Sequence, residues 1–357
     1  MKAHLDQHKL QSCTFIESSD PRWKCFLKST PHDFYHLPSY TMLSAKYDGG
    51  SPMAFYAETQ GNALLVPLLI RPVPNVVSGT EEWTDLASPY GYPGPLFYDP
   101  EDTETTALLL RAFLNYAADH NVITAYIRLH PLLNPQPEVF GELGRVVIPQ
   151  GDTVYVDLSE SEEILYSTMR RDHRADIKKV SKLGFTVHFD DWSRLNDFVG
   201  VYHSTMQRVS AASFYCFPES YFCDLREALG DRLHLCSVSS PDGEYAGGGI
   251  FSLINGISQG HLAGTAEKYL RHGTAKLVTY SEFLWAKSAG SRVFHLGGGV
   301  QGRSDSLLYY KTGFSKLTSH FCSWRPIFSE DKYKRLLDAT SVACPVGSFF
   351  PAYRRPE

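Results

Sequence analysis

Hydrophobic and polar positions alternate along the first half of the chain in patterns that are typical of a mixed α/β protein. Two apolar runs, residues 53–60 and 63–71, flank Gly61-Asn62 and predict a β-hairpin. Apolar residues recur at helical spacing over 103–120 after a Thr/Glu-rich start, which predicts a helix. Further strands are predicted at 123–131 and 153–158.

A similar order of elements follows in the second half. A Ser/Glu start and a glycine stop predict one long helix over 159–184. Asn255-Gly256 lies between two apolar runs and predicts a hairpin with a type I′ turn. The other predicted elements are strands at 185–190, 232–239, 245–254, 256–263, 292–297 and 315–324, and helices at 192–208, 218–229, 274–289 and about 330–340. The pattern predicts two domains that meet near 150–160.

The composition is that of a well-packed globular protein. It is not that of a globally basic nucleic-acid binder, a zinc protein or a membrane-spanning protein. Of the 357 residues, 43% are hydrophobic, and the formal net charge is −5, so an anionic partner would have to bind a local patch. The seven cysteines form no C-x-x-C pair, which favours reduced thiols in a cytoplasmic protein without a zinc site. No apolar run predicts a signal peptide or a membrane span.

A basic segment interrupts this acidic chain at 170–182. Arg171, Arg174, Lys178 and Lys182 follow one another at steps of three and four residues, so a helix places them on one side. That side could hold the phosphates of a polyanion. Because two aspartates, at 172 and 176, are interspersed, a solvated helix surface is the alternative interpretation.

A glycine-containing loop precedes the helix predicted at 274–289. Arg271, Gly273 and Ala275 form an R-x-G-x-A pattern at the helix start, where free N–H groups favour an anion. The pattern resembles the pyrophosphate loop of the GNAT acyltransferases, Q/R-x-x-G-x-G/A, except that Leu270 occupies the expected basic position. An ordinary glycine turn is the alternative.

Candidate functional residues are most concentrated in HLGGGVQGRSDSLLYYKTGF, residues 295–314. Three glycines follow a predicted strand, where bare backbone allows a ligand to approach closely. Lys311 follows an apolar segment, and lysine is seldom buried unless it is paired. Lys311 is therefore either part of a functional site or a lysine that pairs with Asp305 or Glu282.

Several motifs occur together and in order. They are H-L-A-G-T-x-x-x-Y (261–269), F-x-L-G-G-G (294–299), D-S-L-x-x-Y-K-x-G-F-S (305–315), R-x-x-I-K-K-x-x-K-x-G (174–184) and S-P-Y-G-Y-P-G-P (88–95). As a set they resemble the Fem-type (FemABX) transferases, a Fem-like branch of the GNAT superfamily, over roughly residues 35–320. The region 213–222 departs from members that bind a UDP-linked peptide, because it contains no arginine.

The resemblance implies a fold and an activity. It implies two tandem GNAT-like domains with a substrate cleft between or beside them. The first is expected at 1–155, completed by a C-terminal helix within 328–357, and the second at 156–327. It also implies an acyltransferase that moves an aminoacyl group from charged tRNA to an amine. The acceptor would be a peptide, a peptidoglycan precursor or a small specialised metabolite.

The resemblance also implies roles for individual residues. Lys311, with Tyr310 and Asp305, is expected at the acyl-transfer centre. The expected substrate-binding residues are Lys46, Tyr90, Tyr92, Tyr215, His261, Gly298, Gly299 and Ser306. The expected tRNA- or phosphate-binding residues are Arg171, Arg174, Lys178, Arg271 and Gly273. Asp305, Glu282 and His295 are possible proton acceptors, although His261 and His295 both fit the pattern of hydrogen-bonded core histidines.

Two other interpretations of the sequence stay open. One is an N-acyltransferase that uses acyl-CoA, which the loop at Gly273 favours. The other is a catalytically silent binding protein with a Fem-like fold. No Ser-His-Asp order or metal-ligand spacing is present, which is consistent with direct transfer without a tightly bound cofactor. A monomer is favoured.

Overall fold

The chain folds into two compact units in a computed structural model that describes residues 9–134, 138–141, 146–340 and 349–355. One unit contains the residues up to Gln150 and those from His320 onward, and the other contains Gly151–Ser319. The strands are β1 (Ser12–Glu17), β2 (Ser51–Glu58), β3 (Ala63–Pro72), β4 (Thr84–Ala87), β5 (Leu96–Phe97), β6 (Val122–Arg128), β7 (Val146–Asp157), β8 (Thr186–Phe189), β9 (Leu233–Ser239), β10 (Tyr245–Ile254), β11 (Ile257–Thr265), β12 (Val293–Gly298) and β13 (Thr318–Arg325). The α-helices are α1 (Pro21–Ser29), α2 (Pro38–Asp48), α3 (Thr103–Asp119), α4 (Glu138–Gly141), α5 (Glu162–Thr168), α6 (Arg171–Lys182), α7 (Leu195–Arg208), α8 (Glu219–Leu229), α9 (Thr274–Ser288), α10 (Ser306–Lys311) and α11 (Glu330–Thr340).

The first unit is a mixed sheet in the order β1-β2-β3-β4-β6-β13, with β5 on β3. The predicted hairpin is confirmed, because Glu58 pairs with Ala63 across its turn. The α3 helix begins where the Asp102 side chain accepts a hydrogen bond from the Thr105 N–H, and it buries Phe113 against Trp324 of β13. Helix and sheet thus share one apolar core.

The C-terminal residues of the chain complete this unit. Helix α11 occupies the predicted range and buries Leu336 with Trp83 and Tyr353. Next to them, the fully buried carboxylate of Asp85 accepts hydrogen bonds from Arg71 Nε (2.8 Å), Tyr353 Oη (3.0 Å) and Arg354 Nε (2.5 Å). We call this group the Asp85 cluster. It joins the 349–355 segment to strands β3 and β4.

The second unit is a mixed sheet in the order β7-β12-β11-β10-β9-β8. The pair β11–β12 is parallel and the others are antiparallel. Gly249 faces Glu282 of α9, whereas Gly264 faces Tyr202 of α7, so the two helices cover opposite sides of the sheet. The Asn255-Gly256 turn has positive φ at both residues, which confirms the predicted type I′ hairpin.

The predicted single helix over 159–184 is wrong, because the structure has two helices, α5 and α6, with extended backbone at Met169 and Arg170. Met169 is buried in the core of the second unit, and the Arg170 N–H donates to the Gly313 carbonyl at 2.8 Å. This contact with a distant part of the chain replaces the helical hydrogen bond that the local pattern predicts.

None of the described helices is long and apolar enough to cross a bilayer.

Candidate functional site

Strands β11 and β12 separate partway along their length. They pair only through Ile257–Gln259 and Val293–His295. His295 is fully buried at the end of the paired part, where its Nδ1 lies 2.6 Å from Gln259 Oε1, so it is the core histidine that the sequence predicts. Beyond it, Ala263 is exposed near the C-terminal end of β11. The structure thus opens at this point, between His261–Thr265 and the glycines that end β12.

The glycines at the end of β12 shape the backbone. Gly297 has a positive φ of +75°. A Cβ on Gly299 would lie 2.0 Å from the Arg303 carbonyl oxygen and 2.6 Å from Asp305 Oδ1. Gly299 is therefore required by the fold of its own loop, whereas the Gly298 carbonyl oxygen accepts a hydrogen bond from Lys311 Nζ at 2.7 Å.

Lys311 ends helix α10 with a half-buried side chain. Burial lowers the pKa of Lys311 to about 8, and the charge of Asp305 opposes this shift in part. The alternative interpretation, a pairing of Lys311 with Asp305 or Glu282, is wrong, because the ammonium group binds the Gly298 carbonyl instead. Since that partner is neutral, the ammonium group forms no ion pair with a described carboxylate, although Asp305 stabilises its charge from a distance. Its further N–H donors are available for an oxygen of a substrate.

Tyr310 anchors this lysine to α9. Its Oη donates to the Ala275 carbonyl at 2.9 Å and lies 3.1 Å from Thr279 Oγ1, while its own carbonyl accepts from His173 Nε2 at 2.9 Å. Burial raises the pKa of Tyr310. Its hydroxyl is therefore a neutral group used for positioning.

The structure places Asp305 as the N-cap of α10. Its carboxylate accepts hydrogen bonds from the N–H groups of Val300 (2.8 Å), Leu307 (3.0 Å) and Leu308 (2.9 Å). Burial would raise the pKa of Asp305, but these three donors hold it below its ordinary value. Ser306 follows as an exposed first residue of the helix. Asp305 thus orients the segment that presents Lys311.

Replacing Asp305 with alanine is expected to destabilise this segment by about 1–2 kcal/mol, because three amide donors lose their acceptor. Faster hydrogen exchange at the amides of Val300, Leu307 and Leu308 measures the effect. Because the pKa of Asp305 is depressed, the capping contribution is present above the unfolded pKa and is lost as the pH falls.

Asp305→Asn serves as the matched variant, since asparagine is an equally good cap. It should keep slow exchange at Leu307 and Leu308 and keep activity, whereas the Val300 amide should exchange faster because the asparagine NH₂ group cannot accept a hydrogen bond. Loss of activity without a change in exchange at Leu307 and Leu308 would instead identify Asp305 as a catalytic proton acceptor.

Helix α6 separates its charges onto different sides. Arg171, Lys178 and Lys182 are exposed and form no ion pair with any described residue, and Arg174 is half-buried. The two aspartates of the helix, at 172 and 176, instead pair with Lys276 of α9, at 3.2 and 2.6 Å. The basic side is therefore not neutralised by these carboxylates.

The same two aspartates lie at the N-terminus of α9. Gly273 has a φ of +84°, and a Cβ there would lie 2.8 Å from Asp176 Cβ and 3.2 Å from its Oδ2. Contact with Arg170, aided by Lys276, lowers the pKa of Asp172 well below its ordinary value. A phosphate approaching this helix start would meet two carboxylates, with Arg271 exposed to one side. Lys276 and Arg170 neutralise both carboxylates, so the charges around the loop do not by themselves select or exclude a diphosphate.

Two other expected residues lie near α7 and α8. His261 Nε2 is 3.2 Å from Tyr221 Oη, and burial lowers the pKa of His261 to about 3, so it is neutral. The Tyr215 carbonyl accepts from Tyr202 Oη at 2.6 Å. A cavity of about 570 Å³ opens beside them, and its lining includes His203, Cys216 and Phe217.

The remaining expected residues belong to the first unit. Lys46 lies exposed within α2, with its Nζ 5.6 Å from the Tyr47 ring centre. The Tyr90 carbonyl accepts from Tyr40 Oη at 3.1 Å, and the Tyr92 ring packs edge-on against Phe321 at 5.0 Å. The structure thus brings Lys311, Tyr310, Asp305, Ser306, Gly298 and Gly299 together in the second unit.

A buried polar group in the first unit is absent from the sequence-based expectations. His130 Nε2 lies 3.2 Å from Asp33 Oδ2, and both side chains are fully buried. His36 is buried beside them, and burial, with the nearby charge of His130, lowers the pKa of His36 well below its ordinary value. In the described ranges, no three His, Cys, Asp or Glu side chains are arranged to hold a metal ion.

The likeness of the chain to other proteins is structural. No protein-family model matches the sequence, and no match is found among curated protein sequences. The structure resembles that of FemX with a TM-score of 0.70 at 14% identity, over 91% of this chain and 99% of that one. It also resembles L-PGS from Bacillus licheniformis, with a TM-score of 0.55 at 16% identity, over 92% and 99% of the two chains.

A further solved structure is the C-terminal domain (DUF2156) of a putative lysylphosphatidylglycerol synthetase from Agrobacterium fabrum. Its TM-score is 0.54 at 12% identity, over 90% of this chain and 95% of that one. At these identities the likeness shows the fold. It confirms the predicted resemblance to Fem-type proteins at the level of the fold, and the structure confirms the predicted mixed α/β class with two compact units.

Proposed function

We propose that this protein is an acyltransferase that forms an amide bond, and that it takes an aminoacyl group from aminoacyl-tRNA. The observation that carries the proposal is the position of Lys311, whose ammonium group is held on the Gly298 carbonyl at the opening of β11 and β12. The acceptor is an amine of a peptide, a peptidoglycan precursor or a small metabolite.

The chemistry needs an oxyanion stabiliser rather than a nucleophile. The neutral acceptor amine attacks the carbonyl carbon of the activated ester and forms a C–N bond. The ester C–O bond then breaks, and the proton that the amine loses goes to the departing ribose oxygen. The Lys311 ammonium group donates to the tetrahedral oxyanion between these steps. A single preorganised donor of this kind contributes roughly 3 kcal/mol to transition-state stabilisation.

The charge distribution supports tRNA as the donor. Arg171, Lys178 and Lys182 form an exposed basic row, as a polyanion requires. At the start of α9, by contrast, Lys276 is engaged by Asp172 and Asp176 and does not present a free cation to a CoA diphosphate. The fold is also shared with FemX and L-PGS, and the Fem-type resemblance implies aminoacyl-tRNA use.

Acyl-CoA remains the second candidate donor, since the R-x-G-x-A loop turns at Gly273 in the left-handed conformation and leads directly into helix α9. The test offers charged tRNA and acyl-CoA side by side with a pool of amines, and identifies the amide product by mass spectrometry. A product that carries an aminoacyl group and requires charged tRNA is expected. An amide made only from acyl-CoA would replace the proposal with the second candidate.

Replacing Arg171, Lys178 and Lys182 together with glutamine is expected to weaken binding of a CCA-ended RNA. The logarithmic salt dependence of the affinity should fall by roughly 2, since about 0.7 counterion is released per neutralised single-strand phosphate. Fluorescence anisotropy at several salt concentrations measures both quantities.

The charge-matched control replaces Lys24, Lys28 and Arg111, which are exposed in the first unit. It should leave the salt dependence unchanged. An equal effect of both triple variants would show that net charge, rather than the α6 side, attracts the RNA.

A further inference from the structure

Glu282 is a buried carboxyl group that has no partner in the described part of the chain. It lies on α9, is 5% exposed, and packs its Oε1 against β10, where a Cβ on Gly249 would lie only 2.1 Å away. It forms no hydrogen bond or ion pair with any residue that the structure describes. The carboxyl oxygens of Glu282 nevertheless retain some exposure to solvent.

This arrangement costs stability in two ways. Burying a carboxyl group without a partner is unfavourable, and burial raises the pKa of Glu282 to about 8, so the group is largely protonated at neutral pH. A glycine in the middle of a strand is also unfavourable, and Gly249 is there because Glu282 needs the space. The unpaired carboxyl group and the strand glycine that accommodates it both lower stability. Such a pair of linked unfavourable features is typical of a site that a ligand completes.

No residue within the described ranges supplies a cation for this carboxyl group. The titratable groups that interact electrostatically with it are Cys236 on β9, Tyr245 on β10 and Tyr310 on α10. Burial raises the pKa of each of them, so all three are neutral at physiological pH. A positive charge next to Glu282 would therefore have to come from a bound molecule.

The opening of β11 reaches the same side of the sheet. Ala263 lies directly opposite Gly249 in the β10–β11 pair, so its side chain points to the α9 side, and it is exposed. Thr279, one helical turn before Glu282, contacts the Tyr310 hydroxyl, and Lys311 follows Tyr310. Glu282 thus lies beside the space that leads to the proposed acyl-transfer centre.

We propose that Glu282 binds a positively charged amine of the substrate, namely the α-ammonium group of the aminoacyl donor. This inference rests on the proposed function. The acceptor amine is the poorer fit, because it must lose its charge to attack, and a carboxylate partner would hold it as an ammonium ion. The α-amine of the donor does not react, and pairing with Glu282 keeps it charged and so prevents it from acting as a nucleophile.

Binding then has a measurable proton balance. Glu282 is largely protonated before binding and is ionised once the ammonium group is beside it. At pH 7 roughly one proton should therefore leave the protein for each ligand bound. An acyl group without the amine would release none.

The test uses 3′-deoxy-3′-(alanylamino)adenosine and its propionyl counterpart, which lacks only the ammonium group. Calorimetry in two buffers of different ionisation enthalpy gives the affinity and the protons released. The wild-type protein is expected to bind the alanyl compound roughly 30-fold more tightly than the propionyl compound, with release of a proton. Glu282→Gln should bind both compounds equally and release no proton, whereas Glu219→Gln, an exposed change on α8, should behave as wild type.

The outcomes separate the two proposals. Equal binding of both compounds by the wild-type protein without proton release, while charged tRNA still yields an amide, overturns the role of Glu282 and leaves the proposed function intact. If neither compound binds and charged tRNA gives no product, the proposed function fails and this inference fails with it. The wild-type proton release decides the matter even if Glu282→Gln does not fold.

Discussion

Replacing Lys311 with methionine is expected to lower kcat for amide formation roughly 100- to 1,000-fold. Methionine keeps a flexible chain of similar length but cannot donate to an oxyanion or bind the Gly298 carbonyl. KM for the donor should change much less, because the lost interaction is specific to the transition state. Single-turnover rates with the donor that yields product measure the effect.

The pH dependence of the same reaction gives an independent readout. Since the pKa of Lys311 is lowered to about 8, its ammonium form predominates below that pH and is lost above it. The wild-type kcat should therefore fall as the pH rises through about 8. The methionine variant should lack this decline.

Lys316→Met is the matched control, because Lys316 is exposed and lies five positions further along the chain. It should retain wild-type kcat. If Lys311→Met stays folded by circular dichroism and keeps activity within about threefold, a single oxyanion donor of the usual strength is excluded and Lys311 is a structural residue.

Replacing Asp85 with asparagine is expected to lower the free energy of unfolding of the first unit by about 3 kcal/mol. Asp85 is fully buried, and its two arginine partners are largely buried, with side chains 23% and 22% exposed. The amide would leave both guanidinium groups without their counter-charge, although their partial exposure limits the loss.

Hydrogen exchange measured peptide by peptide tests this prediction. Peptides from β3, β4 and the 349–355 segment should exchange faster, while peptides from 151–319 should not change. Asp119→Asn, an exposed change at the end of α3, is the control. A uniform change in both units, or none, would contradict a local role for the Asp85 cluster.

The elements that the sequence predicts well depend on neighbouring residues. The Asn255-Gly256 turn is one example, because positive φ at two adjacent positions is a local property of those residues. Helix α11 is another, since its apolar side and its acidic start lie within one short segment. The break at Met169 and Arg170 has no such local signal, because it depends on a carbonyl group at Gly313, far along the chain.

The candidate site shows the same division. The Tyr310-Lys311 pair is recognisable as a motif, but the Gly298 carbonyl that holds the lysine becomes visible only when β12 and α10 are folded. Asp176 lies next to Gly273 because α6 and α9 pack together, and this packing places a carboxylate beside the glycine loop. The Asp33–His130 pair joins residues 97 positions apart, and no local pattern indicates it.

The division of the chain has a consequence for its synthesis. The second unit is continuous, Gly151–Ser319, whereas the first needs residues from His320 onward, including Tyr353 and Arg354 of the Asp85 cluster. On the ribosome the second unit can therefore finish folding first, although its synthesis begins after that of the first unit. The nascent N-terminal strands must wait for α11 and the 349–355 segment, and during that interval they are the part of the protein most exposed to chaperones and proteases.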